Sequence, residues 1–413
     1  MDRTYQYHFT PQKGWINDPN GLIYIDGVYH LFYQYYPHDI VWGPMHWGHA
    51  VSTDLLHWEH KPVAIYPTEE EYIFSGSCVY DRENVSWLGT NERPPLIAFY
   101  TAHNPITGEE QQSLAYSTDF EAFTKYEGNP VIENVKTMAD YKKDFRDTKV
   151  FPNPVLGGFS MVLAAGHRLE FYHSANLLSW EKTGEFVPKQ GVAEIFECPD
   201  CFPMETVSGT KWILTLSLTS HVMPYYVGEF NGETFVEEWD TERSEQLLLD
   251  YASDNYAMVS FADYPTTLLL GWGESWDYVS QTPAEGYRGK MTMARKAQLV
   301  KTMVGWRLKF LPAETSGIAE QDYWSGTLHP GCQKEFILPG NKKLLLSVTD
   351  DEIVVDRSYA GDFYFSEFLQ NKALRFVAKR VLTGNCKITV IQDNGYFEIF
   401  AEDGLVPFSV MTY

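Results

Sequence analysis

The most constraining feature of the sequence is an internal repeat of short apolar segments. Five such segments recur at intervals of about 50 to 70 residues, each rich in β-branched or aromatic residues and bounded by Gly, Pro, Asn or Asp. These properties are typical of β-strands, and a helical period of apolar residues is almost absent from the chain. The segments are YHLFYQYYP from Tyr29, LIAFYTAHN from Leu96, FSMVLAAGH from Phe159, KWILTLSLT from Lys211 and TTLLLGWGE from Thr266.

A second repeat follows three of these segments. The pattern Ser-x-Asp/Asn-Leu/Phe-x-x-aromatic occurs at residues 52–58, 117–123 and 174–180, which are about 60 residues apart. Five copies of a unit long enough for four short strands predict a five-bladed β-propeller, and the alternative is an extended array of β-sandwiches. The pattern recurs at the spacing of one blade, which favours the propeller. Because a propeller gathers its inner strands around one central pocket, we expect functional residues that are far apart in the sequence.

The pattern changes near residue 311. Residues 311–321, LPAETSGIAEQ, are polar and contain Pro312 and Gly317, and we interpret them as a linker. Residues 1–310 form the predicted propeller, and residues 322–413 contain seven short strand-like segments, among them DFYFSEF from Asp362. Turn-forming sequences separate several of these segments, which predicts a small C-terminal β-sandwich and makes the whole chain all-β.

The charge of the chain restricts its partners. With 32 Lys and Arg against 55 Asp and Glu, the formal net charge is −23 at pH 7. Such a charge disfavours nucleic acid and an anionic membrane surface as partners, because both would be repelled. A neutral small molecule is easier to accommodate, although acidity also serves solubility alone. A homo-oligomer is left open.

The cysteines and the chain start give further expectations. Cys198 and Cys201 form a C-x-x-C pair, but the other three cysteines supply no second pair with the spacing of metal ligands. We therefore expect no metal and no cofactor. The N-terminal residues lack the apolar core of a signal peptide, and no run reaches the roughly 18 apolar residues of a membrane span, so we expect a cytoplasmic location.

Asp18 is the first of three candidate catalytic carboxyl groups. It lies in GWINDPNG (Gly14–Gly21), whose Asn, Pro and Gly residues alone would indicate an ordinary turn. Aromatic and amide side chains occur near it in the sequence, namely Trp15, Gln34 and Trp42. Such side chains are typical of sugar-binding sites, where aromatic faces pack against sugar rings.

Asp147 and Glu197 are the other two candidates, in the motifs DFRDTKVF and EIFECPDCF. Arg146 favours the ionised form of Asp147, although a surface ion pair would have the same sequence. Glu197 lies between Phe196 and Cys198, and we expect low polarity there to keep it protonated near neutral pH. One ionised and one protonated carboxyl group are what glycoside hydrolysis requires. The sequence predicts such a pair, with a third carboxylate beside it.

Ten motifs spread over nearly the whole chain match one known family. They are GWINDPNG, YHLFYQYYP, WGPMHWGHA, FSGS, FRD, ECPD, LDYASDNYA, LLLGWGESWDY, YRGKMTMAR and VVDRSYAGD. Together they resemble glycoside hydrolase family 32, which contains invertases, sucrose-6-phosphate hydrolases, levanases and inulinases. The resemblance implies retaining hydrolysis of terminal β-D-fructofuranosides through a covalent fructosyl-enzyme. It implies Asp18 as nucleophile, Glu197 as general acid/base and Asp147 as transition-state stabiliser.

The resemblance also implies a fructose pocket. Two positions depart from the usual family pattern, because Thr148 replaces a Pro and Phe196 replaces a Trp, which puts the rate in question more than the reaction type. Tyr256 and Trp272 match less closely than the other positions, and the alternative for both is a place in the hydrophobic core. The implied pocket residues are Trp15, Asn17, Gln34, Trp42, Phe74, Ser75, Arg146, Tyr256 and Trp272.

Three other functions fit parts of the pattern. A fructosyltransferase would pass the same intermediate to a sugar hydroxyl, and a non-catalytic propeller would only bind sugars. The three carboxyl groups argue against the non-catalytic hypothesis. The third function is that of an inverting arabinan hydrolase, and the FSGS and ECPD motifs argue against it. The leaving group is open between glucose, glucose 6-phosphate and fructose. Lys149, His103 and Arg288 are candidate phosphate ligands.

Overall fold

The computed structural model describes residues 4–134, 144–238, 246–284 and 286–413, and within them the chain folds into seven β-sheets. Five sheets follow one another along the chain, one for each copy of the sequence repeat. Their first strands contact one another in a ring around a central channel, and the other strands lie further out. The remaining two sheets form a C-terminal sandwich. The chain is therefore an all-β protein, a five-bladed β-propeller followed by a β-sandwich, which confirms the predicted fold class.

The strands of each blade are antiparallel and follow the chain order outward from the channel. Blade 1 contains β1 (Gly14–Ile25), β2 (Val28–Tyr36), β3 (His46–Ser52) and β4 (Glu59–Ile65), and blade 2 contains β5 (Tyr72–Tyr80), β6 (Leu96–His103), β7 (Glu110–Ser117) and β8 (Thr124–Lys125). Blade 3 contains β9 (Phe145–Pro152), β10 (Phe159–Ala165), β11 (Leu169–Ser174) and β12 (Glu181–Phe186), and blade 4 contains β13 (Phe196–Thr206), β14 (Gly209–Leu218), β15 (Tyr225–Phe230) and β16 (Phe235–Glu237). Blade 5 contains β17 (Tyr256–Ser260) and β18 (Leu268–Trp272), then β20 (Arg295–Thr302) and β21 (Gly305–Pro312), while β19 (Tyr287–Arg288) pairs in parallel with the start of β1.

Both sequence repeats have a structural origin. The five apolar segments form the second strand of each blade, β2, β6, β10, β14 and β18, which are almost entirely buried. The Ser-x-Asp pattern forms the turn after the third strand in blades 1 to 3. In blade 1, the Ser52 hydroxyl accepts the backbone N–H groups of Asp54 and Leu55 at 3.1 and 2.8 Å. Leu55 has φ +68°, and the side-chain bonds hold it in this left-handed conformation.

Backbone hydrogen bonds close the ring of blades between β1 and the residues that directly follow β17. The Tyr24 N–H donates to the carbonyl oxygen of Ala262 at 3.0 Å, and the Ala262 N–H donates to the carbonyl oxygen of Leu22 at 2.9 Å. The first and last blades are thus joined by main-chain contacts as well as by packing. This closure fixes the positions of all five inner strands around the channel.

The sandwich contains two antiparallel sheets with strand orders β22–β27–β28–β29 and β23–β24–β25–β26. Its strands are β22 (Tyr323–Leu328), β23 (Cys332–Ile337), β24 (Lys343–Val348), β25 (Glu352–Asp356), β26 (Arg375–Lys379), β27 (Cys386–Asp393), β28 (Tyr396–Ala401) and β29 (Val406–Met411). Short 3₁₀ helices span Val279–Gln281, Glu320–Asp322, Pro339–Asn341 and Glu402–Gly404. Since β21 ends at Pro312 and β22 begins at Tyr323, the predicted linker at 311–321 overlaps the last propeller strand by its first residues, and the domain boundaries stay a prediction.

The predicted strand DFYFSEF is wrong. Its end lies in the helix α1 (Glu367–Lys372), and the residues before it form turns. Ser366 caps this helix by accepting the backbone N–H of Leu369, and the negative charge of Glu367 in the first turn interacts favourably with the helix dipole. In the described part of the chain, no helix has the length and apolar character needed to cross a membrane.

A buried ionic cluster joins the propeller to the sandwich. The Arg295 guanidinium, at the start of β20, donates to Glu398 at 2.8 and 2.6 Å and to Asp250 at 3.1 Å. His8 lies between Asp393 and Glu398, with ring nitrogens 2.8 and 3.0 Å from their oxygens. Burial alone would lower the pKa of His8, but these two carboxylates outweigh it and raise that pKa. The N-terminal segment, blade 5 and the sandwich are thereby held together.

Replacing Arg295 with Met should destabilise the protein strongly, because among the described residues it leaves the buried Asp250 without a cation and leaves Glu398 with His8 as its only cationic partner. We expect a loss of about 3 to 5 kcal/mol in the free energy of unfolding, visible as a lower thermal midpoint. Lys343→Met removes a partly exposed ion pair with Glu335 and should leave the midpoint nearly unchanged. Equal midpoints for the two variants would contradict this account of the interface.

Candidate active site

The inner strand of every blade contains a β-bulge at the same level of the channel. A bulge inserts an extra residue and re-aims the side chains beside it. Asp147, Cys198 and Ala257 have φ values of +65°, +45° and +52° at these points, a conformation that residues other than Gly rarely adopt. Eight of the predicted site residues lie at or directly beside the bulges. The unpaired residues at the five bulges are Asn17 and Asp18, Phe74 and Ser75, Asp147 and Thr148, Cys198 and Pro199, and Ala257 and Met258, and the paired residues directly before the last three bulges are Arg146, Glu197 and Tyr256.

Asp18 is only 9% exposed and is held by donors on both carboxylate oxygens. Its Oδ2 accepts the Ser75 hydroxyl at 2.9 Å and the Cys198 thiol at 3.4 Å. Its Oδ1 accepts the side-chain amide of Asn17 at 3.1 Å, and the Trp15 indole N–H holds Asn17 from behind at 2.9 Å. Asp18 is therefore part of a strand rather than of a surface turn, with its carboxylate in a fixed orientation.

Asp147, in β9, lies near Asp18, in β1, because both carboxyl groups approach the Cys198 sulfur. Its Oδ2 accepts the backbone N–H of Cys198 at 2.9 Å and lies 3.6 Å from the Cys198 sulfur. Burial raises the pKa of Asp147 to about 7, the Arg146 guanidinium opposes this shift, and the charges of Glu197 and Asp18 add to it. Arg146 does favour the ionised form, as the sequence predicts, but burial outweighs it. Asp147 is therefore harder to ionise than a solvent-exposed carboxyl group.

Glu197 is the most accessible of the three carboxyl groups, with 23% of its side chain exposed. The Tyr256 hydroxyl lies 2.6 Å from Oε2, and the Arg146 Nε lies 3.5 Å from Oε1. Its neighbour Phe196 is buried in the core between blades 3 and 4. The apolar surroundings predicted for Glu197 are thus wrong: alternate residues of a strand face opposite sides, and Glu197 contacts polar groups.

The Tyr256 hydroxyl makes two contacts that a single proton cannot serve. It lies 2.6 Å from Glu197 Oε2 and 3.0 Å from the carbonyl oxygen of Leu218, and both of these atoms are acceptors when Glu197 is ionised. When Glu197 is protonated, it donates to the Tyr256 oxygen, and Tyr256 donates to Leu218. Both contacts are then hydrogen bonds, so the arrangement accommodates a proton on Glu197.

Aromatic side chains form one wall at the mouth of the site. The Phe74 ring stacks on the His103 ring, with centroids 4.3 Å apart and an angle of 5° between the planes. Trp42 is 43% exposed and meets Phe74 edge to face at 6.0 Å. An exposed ring beside a buried carboxylate cluster is a suitable surface for a sugar ring.

Two predicted pocket residues support the site from behind. Trp272 is fully buried, and its ring lies 6.1 Å from Trp15 and 4.8 Å from Trp276. Gln34 is buried as well, and its amide donates to Asn20 at 2.7 Å and to the carbonyl oxygen of Ile73 at 3.0 Å. Both residues lie behind the side chains that face the channel. For Trp272 this is the place in the hydrophobic core that the sequence left as the alternative.

Cys198 is the main site residue that the sequence interpretation missed. From the sequence, Cys198 is considered only as a metal ligand, because it is half of a C-x-x-C pair. In the structure its thiol lies near both Asp18 and Asp147, and its backbone N–H donates to Asp147. Burial, and then the charges of Asp18, Asp147 and Glu197, raise the pKa of the thiol, so it is a neutral donor. Alignment of FRDT with FECP would have placed Cys198 level with Asp147. Among the described residues, no group of three His, Cys, Asp or Glu side chains is arranged to hold a metal ion.

Comparison with known proteins identifies related chains. Residues 8–308 match the family model described as the glycosyl hydrolases family 32 N-terminal domain. A levanase from Bacillus subtilis is 37% identical over 97% of this chain and 64% of its own, and an invertase from Schizosaccharomyces pombe is 38% identical over 71% of this chain and 52% of its own. The chain thus spans less than two thirds of each. The crystal structure of an exo-inulinase from Aspergillus awamori superposes with a TM-score of 0.88 at 30% identity, covering 99% of this chain and 92% of that chain.

The fold and the cluster of carboxyl groups define a glycoside hydrolase. The chain belongs to glycoside hydrolase family 32, which confirms the resemblance seen in its motifs. The comparisons thus support a glycoside hydrolase of the β-fructofuranosidase type.

Tyr256→Phe should slow fructoside hydrolysis while leaving the fold intact. The carbonyl oxygen of Leu218 still accepts the backbone N–H of His221 at 2.7 Å, so no buried group is left without a partner. A hydrogen bond to an ionisable group contributes about 1.5 to 3 kcal/mol, which corresponds to a fall of about 10- to 100-fold in kcat. Steady-state kinetics on the fructoside that the enzyme cleaves fastest would measure it.

Tyr172→Phe is the matched control, because it removes a Tyr–Glu hydrogen bond of the same 2.6 Å length in the third strand of blade 3. Its kcat should equal that of the wild type. Equal kcat values for the Tyr256 and Tyr172 variants would show that the hydrogen bond between Tyr256 and Glu197 does not contribute to catalysis.

Proposed function

We propose that this enzyme hydrolyses terminal β-D-fructofuranosides with retention of configuration at the anomeric carbon. In this proposal Asp18 is the nucleophile, Glu197 the general acid/base and Asp147 the stabiliser of the transition state. The observation that carries it is the convergence of three carboxyl groups from three blades. Asp18 and Asp147 lie within 3.4 and 3.6 Å of the same sulfur atom, that of the residue next to Glu197.

The first step forms a covalent fructosyl-enzyme. An oxygen of Asp18 attacks the anomeric carbon of the fructosyl unit, while Glu197 gives its proton to the glycosidic oxygen and the aglycone leaves as an alcohol. The donors on Asp18 hold its carboxylate in one orientation, so little reorganisation is needed for the attack. Asp147 lies where it can bind the sugar hydroxyls as positive charge develops on the ring.

The second step releases fructose. Glu197, now ionised, takes a proton from a water molecule, and the water oxygen attacks the anomeric carbon from the side that the aglycone left. The bond between Asp18 and the sugar breaks, and two inversions give net retention. Glu197 suits both proton transfers because it is the most exposed of the three groups and its hydrogen bond with Tyr256 can run in either direction.

The charges at the site favour a neutral leaving group, the glucose of sucrose or a fructose unit of a fructan. Lys149 is buried, and its ammonium group lies 2.6 Å from the carbonyl oxygen of Ser260 and 3.0 Å from Asp200. Arg288 donates to the backbone carbonyls of three neighbouring residues at 2.8 to 3.2 Å. Both cations are therefore already engaged, which argues against sucrose 6-phosphate.

The relatives support this range of substrates without selecting one of them. They include a levanase, an invertase and an exo-inulinase. Transfer of the fructosyl unit to a sugar hydroxyl is the second candidate, since Trp42 at the mouth of the site could hold an acceptor sugar as well as an aglycone. A cytoplasmic location stays a prediction.

Incubation with sucrose, sucrose 6-phosphate, inulin and levan tests the proposal. We expect release of fructose from sucrose and fructan, with NMR spectra showing the β-fructofuranose anomer before mutarotation. Asp18→Asn and Glu197→Gln should each lower kcat by about 10³-fold or more. Asp26→Asn, in the turn that follows β1, is the matched control and should keep full activity.

Different outcomes contradict different parts of the proposal. Release of the α anomer first would contradict retention, and full activity of either site variant would contradict the role assigned to that residue. Oligosaccharides in place of free fructose at high sucrose concentration would favour the transferase.

A further inference from the structure

A buried carboxylate outside the catalytic trio holds Arg146 in place. Glu110, the first residue of β7, is 5% exposed. Its two oxygens accept the Arg146 Nη1 at 3.1 and 2.9 Å, and Oε2 also accepts the backbone N–H of Phe145 at 2.9 Å. The His103 ring lies against the other side, with Nδ1 3.3 Å from Oε1. Glu110 is thus fixed by blades 2 and 3 together.

The charges around Glu110 keep it ionised. Burial by itself would raise the pKa of Glu110, but the hydrogen bond from His103 and the charge of Arg146 outweigh burial and lower this pKa. A buried carboxylate that stays charged needs a cationic partner, and the partner of Glu110 is Arg146. The negative charge of Glu110 therefore partly offsets the positive charge that Arg146 brings to the wall of the active site.

Arg146 divides its positive charge among several carboxylates. Its Nη1 binds Glu110, its Nη2 donates to Asp144 at 2.6 Å, and its Nε faces Glu197 at 3.5 Å. The contact with Glu197 is the longest of the three. The share of the guanidinium charge that Glu197 senses therefore depends on Glu110 and Asp144.

We propose that Glu110 is a positioning residue that sets the pH range in which Glu197 can act as an acid. It holds the Arg146 guanidinium at the distance seen here and offsets part of its charge, so that less positive charge favours ionisation of Glu197. This inference rests on the proposed role of Glu197. The groups that face Glu197 are Arg146 and Asp147 from β9, Asp18 from β1, Cys198 on its own strand and Tyr256 from β17.

Glu110→Gln tests this directly. The amide keeps the size of the side chain, but it loses the charge and retains only one acceptor oxygen for Phe145 and Arg146. The positive charge of Arg146 is then no longer offset, which favours ionisation of Glu197. We expect the alkaline limb of kcat/KM against pH to move to lower pH by about one unit, measured on sucrose or inulin. Glu110→Asp keeps the charge and should restore most of the wild-type limb.

Glu170→Gln is the matched control, since Glu170 is a buried carboxylate paired with Arg168 in blade 3, away from the site. Its alkaline limb should coincide with that of the wild type. Thermal unfolding of each variant shows whether it is folded. A folded Glu110→Gln enzyme with an unmoved limb would overturn the inference, as would an equal shift in the Glu170 variant. Failure of the proposed function would look different, because Glu197→Gln would then be fully active.

Discussion

The closed ring of five inner strands is the constraint on which the rest of the molecule depends. A propeller with all its blades in place has no room to move one inner strand without moving its neighbours, and the hydrogen bonds between Tyr24 and Ala262 complete that ring. The bulges at one level of the ring turn consecutive side chains toward the channel. Left-handed backbone at Asp147 and Cys198 is sustained by this closure, since a free chain would relax it.

The electrostatics of the site follow from that geometry. Three carboxyl groups brought together in a largely buried space cannot all be ionised without a large cost, and one cation, Arg146, is set against them. The balance appears as the raised pKa of Asp147 and as the polar contacts of Glu197. Glycoside hydrolysis needs one carboxyl group that attacks and another that gives a proton, and a crowded cluster of this kind supplies both.

The fold was predictable from the second strand of each blade, because those strands are buried along nearly their whole length and read as uniform apolar runs. The inner strands were not recognisable in the same way. Their bulges bring polar residues, Asn, Asp, Pro and Gly, into the strand, and such residues otherwise indicate turns. For this reason NDPNG in β1 resembles a loop, although all of it is buried.

The site residues that lie in recognisable motifs were predictable from the sequence. Those that reach the site only through the packing of blades distant in the sequence were not. Asp18, Asp147 and Glu197 stand in motifs that match the family. Glu110 lies in the polar run GEEQQ, which has the composition of a surface loop, and only the meeting of blades 2 and 3 buries it against Arg146. The surroundings of Glu197 were wrongly inferred from its sequence neighbours, because strand geometry turns Phe196 away.

The assignment of Asp18 as the nucleophile is tested most directly by trapping the covalent intermediate. β-Fructofuranosyl fluoride needs no proton donor to leave, so Glu197→Gln should form the fructosyl-enzyme from it and hydrolyse that intermediate slowly. Mass spectrometry of the digested protein should then find the mass of one fructosyl unit on the peptide that contains Asp18. A label on Asp147, or a fully active variant that never accumulates a labelled peptide, would contradict the account.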